Sequence, residues 1–399
     1  MPIRDLLYYI AFCMLELVAA VEVTAMLVAS PTIASILGIP EHNAGWILNA
    51  YLYPVFATLL LLLVRNGEWI KHIFSARGIF ITGLALFIGG NILSGLCSTP
   101  SFFFAGRLVQ AVGGALAYLG QLWTAMVYFK DRLVTVMFWG ECGLAVGIIS
   151  GPMIGGYLSG WGAAGWRWIF FLNAALALAT IGAGLAGLLS RKPGSSAPAA
   201  AAASRGGMGE IYWLLGLQWA VMVAAVGGEY LLSNDLQLNK HLSAQTVGWV
   251  TAAASVGAVA GSGMVASRPA SVNSWLRLGL GSLMAFIPVL GICLPYLHYL
   301  WNIPILLVVG MGMGMSSVSL YARIAEFSLA EDFIRVSILY LLAQQLGNAV
   351  GVQIEELISQ LHLHPAITAL CLAAPLLVLF FLAWQNSTAR KRTEPVPHA

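Results

Sequence analysis

The stretch GECGLAVGIISGPMIGGYLSGW, residues 140–161, sets seven glycines and a proline in an otherwise apolar run. Its regularly spaced glycines and their neighbours are Gly143, Gly147, Gly151, Pro152, Gly155 and Gly156. In water this would be a poor helix, because an interior glycine costs roughly 1 kcal/mol and a proline about 3 kcal/mol. In a bilayer a helix persists, since unsatisfied backbone groups are costly there and small side chains let a second helix approach closely. The stretch therefore predicts a tightly packed membrane-spanning helix.

Composition points to the same environment. Of the 399 residues, 59% are hydrophobic and only 9% are charged, and the mean hydropathy is +0.85. A soluble domain carries about a quarter of its residues as charged side chains. The sequence therefore predicts an all-α integral membrane protein. The net charge of +3 gives no reason to expect a nucleic-acid partner.

Apolar segments of the length needed to span a bilayer, about 20 residues, recur along the chain. They are 6–29, 45–64, 78–98, 101–128, 134–160, 166–190, 211–234, 245–266, 275–296, 299–324, 336–360 and 365–385. We therefore expect about twelve transmembrane helices in two six-helix bundles. The predicted divisions are an N-terminal bundle at 1–190, a flexible cytoplasmic linker at 191–210, a C-terminal bundle at 211–385 and a cytoplasmic tail at 386–399.

The distribution of lysine and arginine predicts the orientation. Most of these residues fall before the first segment, in alternate connections, in the linker and in the tail, all on one side of the predicted membrane. The opposite side has only Arg167 and Lys240. Cytoplasmic loops are enriched in basic residues, so both termini are expected in the cytoplasm. The first segment carries Glu16 and Glu22 and lacks a small-residue cleavage site, so we expect no cleavable leader.

Several stretches match known signatures in a fixed order. The opening stretch has the form g-x-x-x-G-P-x-x-G-G, and GWRWIFFLN follows at 165–173. AGRLVQAVGGA at 105–115 contains Arg107 and Gln110, VEVTAMLVASPTIA at 21–34 contains Glu22, and AGWILNAYLYP spans 44–54. Together these stretches resemble the major facilitator superfamily, specifically its drug/proton antiporter branches. The second half matches more loosely, chiefly through LAQQLGNAVGV at 342–352.

One connection departs from that family. The loop between the second and third helices usually reads G-x-L-a-D-r-x-G-r-r, whereas here it reads NGEWIKHIFSARG at 66–78. Only Arg77 remains in register, and His72 and Ser75 replace the aspartate and the glycine. The resemblance implies that this loop and the Gly/Pro motif take part in gating. Gly147, Gly151, Pro152, Gly155, Gly156 and Arg77 are thus the gating candidates, and the glycine stripe is expected to move against a helix of the other half.

Acids within apolar helices are the candidates for proton coupling. A charge at the bilayer centre costs ~2.5–3.5 kcal/mol on insertion scales, so such residues usually face a cavity. Glu22 and Arg107 lie at similar predicted depths, which makes contact between them feasible. That contact is either a proton switch or a permanent ion pair bracing two helices. Glu229 occupies a position in the second half similar to that of Glu22. It is either a second proton site, an anchor for a cationic substrate, or a capping or water-exposed acid.

Other residues have weaker signals. Glu16 and Glu141 are expected to be structural, bonded to arginine or backbone. Tyr51, Gln110, Trp123 and Tyr230 are candidates to line a substrate cavity. Met311, Met313 and Met315 in GMGMGMSS (310–317) suggest thioether ligands for Cu(I), but a helix-packing seam is the favoured interpretation. The sequence contains no phosphate-binding loop, catalytic nucleophile or metal-ligand cluster, so neither enzyme activity nor a cofactor or bound metal is expected.

The resulting functional hypothesis is a secondary active transporter, more specifically a proton-coupled exporter of small amphipathic or cationic compounds. The expected partners are the small-molecule substrate, protons and the lipid bilayer of a bacterial inner membrane. We expect the chain to function as a monomer, and the sequence leaves open a periplasmic adaptor protein. One alternative is an importer of a nutrient or metal ion on the same fold. Another is a transport-inactive membrane sensor or scaffold.

Overall fold

A computed structural model describes residues 3–40, 46–188, 208–242, 244–296, 298–329, 332–360 and 364–393. Within these ranges the regular structure is helical, and no strand occurs. The long helices are α1 (Ile3–Leu37), α2 (Trp46–Leu62), α3 (Ala76–Leu96), α4 (Pro100–Tyr128), α5 (Leu133–Ser159), α6 (Arg167–Leu188), α7 (Met208–Asn234), α8 (Ala244–Ser267), α9 (Val272–Cys293), α10 (Asn302–Phe327), α11 (Phe333–Gln360) and α12 (Pro365–Thr393). A 3₁₀ turn (Val64–Gly67) and a short helix (Glu68–Ile73) join α2 to α3.

Nine helices in the described ranges are long and apolar enough to cross a membrane, or ten if the pair Trp46–Leu62 and Val64–Ile73, bent by 81°, counts as one span. The chain is therefore a multi-pass membrane protein, while the number of twelve spans stays a prediction. Most predicted segments agree with the helices to within a few residues. The largest differences lie at helix ends: α1 continues to Leu37 and α12 to Thr393, so the start of the predicted tail is helical.

The predicted linker lies mostly outside the described residues, which resume where α7 begins at Met208. By contacts, the chain forms two compact units. Unit 1 comprises Met1–Ile211, Ser262–Ala270 and Tyr321–Leu342, and unit 2 comprises Tyr212–Gly261, Ser271–Leu320 and Ala343–Ala399.

In unit 1 the glycine stripe of α5 packs along α1. A Cβ at Gly147 would lie 2.7 Å from the carbonyl oxygen of Leu17, and one at Gly155 would lie 2.5 Å from that of Ala25. The Thr24 hydroxyl bonds across the same seam, donating to the carbonyl of Gly147 at 3.3 Å. The expected partner was therefore wrong: these glycines face the first helix of their own half. The seam exists because the missing side chains let two backbones meet.

Unit 2 repeats these pairings. A Cβ at Gly347 of α11 would lie 2.6 Å from the carbonyl oxygen of Trp219 of α7, matching the α1–α5 seam. The GMGMG run of α10 packs on two neighbouring helices. Gly310 faces Ala254 of α8, and a Cβ at Gly312 would lie 2.9 Å from the carbonyl oxygen of Gly279 of α9. The run is therefore a helix-packing seam, as the favoured interpretation predicted. In unit 1, α4 likewise packs on both α2 and α3 through Gly114 and Gly113.

Candidate functional site

The centre of the candidate site is an ion pair between α1 and α4. Arg107 donates through Nη1 to Oε1 of Glu22, and both side chains are fully buried. Arg107 lies two turns into a helix whose start is well defined, because Pro100 occupies the first turn and the Thr99 hydroxyl accepts from the Phe102 amide at 3.4 Å. The contact that the similar depths of the two residues made feasible is therefore present.

Amide side chains extend this pair to two more helices. Asn173 of α6 donates to Oε2 of Glu22 at 2.7 Å, so each carboxylate oxygen has a donor. The same Arg107 nitrogen donates to Oε1 of Gln110 at 2.8 Å, and Gln110 donates to Oδ1 of Asn91 of α3 at 3.2 Å. Arg107 and Gln110 share a helix face because they are three residues apart. The result is one polar network that joins α1, α3, α4 and α6.

Aromatic rings close over the arginine. The guanidinium carbon of Arg107 lies 5.2 Å from the ring centre of Tyr51 and 5.7 Å from that of Phe170. The ring of Phe170 packs edge-on against Trp166, both being fully buried in a hydrophobic cluster. Tyr51 therefore contacts Arg107 as part of the wall around the pair. Two Arg107 nitrogens, Nε and Nη2, have no hydrogen-bond partner among the described residues.

Burial of the pair decides what it can do in this conformation. Glu22, Arg107, Gln110 and Asn173 each have 0% of their surface exposed. The Glu22 carboxylate has no contact with solvent in this conformation, so it cannot exchange a proton with water directly. A charge pair so placed also has a clear structural effect, because removing one partner of a buried pair typically destabilises a protein by about 3–5 kcal/mol.

A second acid of α1 has different surroundings. Glu16 is half-buried and accepts hydrogen bonds from Nε2 of Gln121 at 2.9 Å and from the hydroxyl of Tyr118 at 3.5 Å. Glu141 of α5 is also half-buried and has no hydrogen bond or ion pair among the described residues. The expectation that these two acids are bonded to arginine or backbone was therefore wrong.

The remaining sequence candidates do not join the network. Trp123 is buried on α4, and Glu229 and Tyr230 are half-buried near the end of α7 in unit 2. Glu229 has no hydrogen bond or ion pair in the described part of the chain. Sequence reasoning missed Asn91 and Asn173 as members of the network. Each is a lone amide in an apolar helix, and that pattern is the signal that would have identified them.

The loop that departs from the family signature has its own local structure. Ser75 replaces the usual glycine and caps α3, accepting from the Gly78 amide at 3.0 Å. Arg77 lies over the ring of Tyr128, with its guanidinium carbon 4.6 Å from the ring centre. Gly67 has a φ of 75°, and a Cβ there would lie 2.8 Å from Ile334 of α11. The loop therefore packs within unit 1 through these contacts, without the aspartate of the family signature.

The chain is similar to known proteins at the level of family, sequence and structure. The sequence profile described as Major Facilitator Superfamily matches residues 12–352. Methylenomycin A resistance protein of Bacillus subtilis is 32% identical over 186 residues, which cover 45% of this chain and 37% of that protein. Putative multidrug resistance protein MdtD of Cronobacter sakazakii is 28% identical over 161 residues, 40% of this chain and 33% of that protein. The alignments thus span little more than a third of these relatives at most.

Solved structures share the fold at low sequence identity. The human organic anion transporter MFSD10 (TETRAN) has a TM-score of 0.71 and 16% identity, with 96% of this chain and 99% of that chain covered. A single-residue variant of the Escherichia coli fucose:proton symporter FucP has a TM-score of 0.67 and 14% identity, covering 97% and 98%. These likenesses concern the fold alone.

Proposed function

We propose, from the premise that the chain belongs to the Major Facilitator Superfamily, that it exports small amphipathic or cationic compounds in exchange for protons. The protein is a transporter and not an enzyme. Resistance proteins among the relatives support the direction of export. The single observation that carries the proposal is the intramembrane carboxylate of Glu22, held by Arg107 inside a polar network.

A proton on Glu22 would change that network in a defined way. Neutralising the carboxylate weakens its charge-assisted bond with Arg107 and its bond with Asn173. Four helices meet at these side chains, so weakening these bonds would loosen the packing of helices in the first half of the chain. We assign proton coupling to Glu22 and Arg107, with Glu229 as a second acid in the other half.

Complete burial adds a requirement to this proposal. Because Glu22 has no exposed surface here, it must gain and lose its proton in another conformational state. Alternating access provides such states, since rocking of the two halves opens a central site to each side in turn. The opened path would be lined by Tyr51, Gln110, Trp123 and Tyr230. Gating would involve the Arg77 loop and the α1–α5 seam, whose motif residues are Gly147, Gly151, Pro152, Gly155 and Gly156.

The proposed topology follows the sequence. Twelve spans form two bundles, at 1–190 and 211–385, joined by a cytoplasmic linker at 191–210. Both termini lie on the cytoplasmic side of a bacterial inner membrane. We propose that the protein functions as a monomer. Co-purification from crosslinked cells would reveal a periplasmic adaptor protein. Substituted-cysteine labelling of intact cells tests the topology: a cysteine replacing Ser204 should react only after the membrane is permeabilised.

Gradient-driven transport tests the function. Purified protein is reconstituted into liposomes, a pH gradient is imposed and flux of a fluorescent organic cation is followed. We expect the gradient to drive cation movement opposite to the protons in the native protein. Glu22→Gln should retain exchange of labelled for unlabelled substrate but lose gradient-driven accumulation, because it can no longer release a proton.

Asn173→Leu separates coupling from bracing. This variant weakens the same network and leaves the titratable carboxylate in place. Proton coupling predicts normal dependence on the pH gradient in Asn173→Leu, whereas a purely structural pair predicts that both variants lose exchange and accumulation together. Accumulation by Glu22→Gln at the native level would remove Glu22 from the mechanism. Flux in the same direction as the protons would instead indicate an importer.

A further inference from the structure

Glu16 and Glu141 form a second acidic site in unit 1, apart from the Glu22 network. The α1 and α5 helices pass so closely that a Cβ at Gly140 would lie 3.4 Å from Cγ of Glu16. Glu141 directly follows Gly140, and the two carboxylates interact electrostatically. Both side chains are half-buried, whereas Glu22 is fully buried.

No basic side chain neutralises this pair. Within the described residues, neither Glu16 nor Glu141 forms a salt bridge, and the donors at Glu16 are the neutral groups of Gln121 and Tyr118. The other titratable groups that face the pair are Cys13 on α1, Cys142 on α5 and Tyr340 on α11, none of them cationic. Two neighbouring carboxylates in a medium of low dielectric disfavour each other's charged form, so ionisation of both is costly without a neighbouring cation. The pair therefore needs either protons or a positively charged ligand.

Two buried polar atoms beside the pair also lack partners. Gln121 is 1% exposed, and its Nε2 is bound to Glu16 while its Oε1 has no hydrogen bond among the described residues. Tyr340 is also 1% exposed, has an unpartnered hydroxyl and interacts electrostatically with both carboxylates. Buried polar atoms are nearly always paired, so each exception needs an explanation, and a bound ligand is one of them. These two atoms lie beside an acidic pair that has no cation among the described residues, whereas other unpartnered buried atoms, such as Nε and Nη2 of Arg107, lie elsewhere.

We propose that Glu16, Glu141, Gln121 and Tyr340 form a binding site for an organic cation that carries N–H donors. The carboxylates supply the opposite charge, and the amide oxygen and the phenol oxygen accept hydrogen bonds from the ligand. The site names the substrate class of the proposed exporter and rests on that function for its physiological meaning. A cation that binds there competes with protons for the two carboxylates.

Equilibrium binding tests this site without any gradient. Ethidium, a fluorescent organic cation with amino donors, is titrated into the purified full-length protein in detergent, in weak buffer containing a pH indicator. We expect saturable binding accompanied by proton release. Glu16→Gln and Glu141→Gln should each weaken binding about tenfold or more, since each loses a charge-assisted contact, and should release fewer protons. Glu326→Gln is the matched control, because that exposed acid pairs with Arg323 on the surface.

Tyr340→Phe distinguishes a ligand-binding role from a structural one. The hydroxyl has no partner in the described part of the chain, so its removal should leave the melting temperature of the empty protein unchanged or raise it. Ethidium binding should nevertheless weaken severalfold. The double variant Glu16→Gln/Glu141→Gln should likewise melt at or above the native temperature, because two facing acids no longer have to share protons. A fall in both melting temperatures with unchanged ethidium affinity would show a structural pair and overturn the proposal.

Failure of this site is distinguishable from failure of the proposed function. Ethidium affinity that is the same in the native protein and in both single variants overturns the site, even where gradient-driven flux is normal. Binding that depends on Glu16 and Glu141 supports the site, even where the protein shows no proton-driven flux. Binding of a neutral aromatic analogue as tight as that of ethidium would also overturn the site.

Discussion

Helix α1 carries two acids six residues apart, and their environments are opposite. Glu22 is fully buried and has Arg107 and Asn173 as donors. Among the described residues, Glu16 is half-buried, has only neutral donors and interacts electrostatically with a second carboxylate, that of Glu141. The charge at Glu22 is matched inside the protein, whereas the charge at Glu16 is left for protons or a ligand to match.

This difference suits the two acids to two separate tasks. A carboxylate locked to an arginine holds helices in place and titrates only when that lock opens. A carboxylate beside another carboxylate gives up or takes up charge at small structural cost. Under the proposed function, α1 would use Glu22 for the conformational step and Glu16 for contact with a cationic substrate.

Arg107→Met is expected to have the largest effect of the changes that test this comparison. The variant leaves Glu22 buried without its cation, and breaking one side of a buried pair costs about 3–5 kcal/mol. The melting temperature in detergent should fall sharply. The double variant Glu22→Gln/Arg107→Met should recover a large part of the loss, because no unpaired charge remains. Equal melting temperatures for Arg107→Met and the native protein would mean that the pair has no structural weight.

Gly143→Ala is expected to have an intermediate effect, concentrated at the Glu16 end of α1. An added methyl group would overlap the carbonyl oxygen of Cys13, so α5 must move away from α1. Forced overpacking of this kind costs about 1–3 kcal/mol, and the same movement should separate Glu141 from Glu16 and weaken ethidium binding.

Gly156→Ala is the matched control in the same helix, next to the stripe. A methyl group there would lie 3.6 Å from Cγ1 of Val28, which is an ordinary contact. The control should keep the native melting temperature and ethidium affinity. If both alanine variants behave alike, the α1–α5 seam does not set the geometry of the acid pair.

The sequence predicted the first of these environments far better than the second. Glu22 and Arg107 were paired from their depths in two helices, and depth follows from helix length and rise alone. The partner of the glycine stripe was predicted wrongly, because periodicity identifies the face of a helix and not the helix that covers it. The facing of Glu16 and Glu141 depends on that partner. For this reason the acid pair was beyond sequence reasoning, and both residues were taken as structural.

Tyr118→Phe is expected to have the smallest effect, and it measures how loosely Glu16 is held. The Tyr118 hydroxyl lies 3.5 Å from Oε2 of Glu16, at the outer limit of a hydrogen bond. Its loss should change the stability by no more than about 0.5 kcal/mol, the low end for a hydrogen bond, as read from the melting temperature. A loss as large as that of Arg107→Met would show that Glu16 is anchored as firmly as Glu22. The two acids would then have the same structural task, and the division of labour along α1 would have to be abandoned.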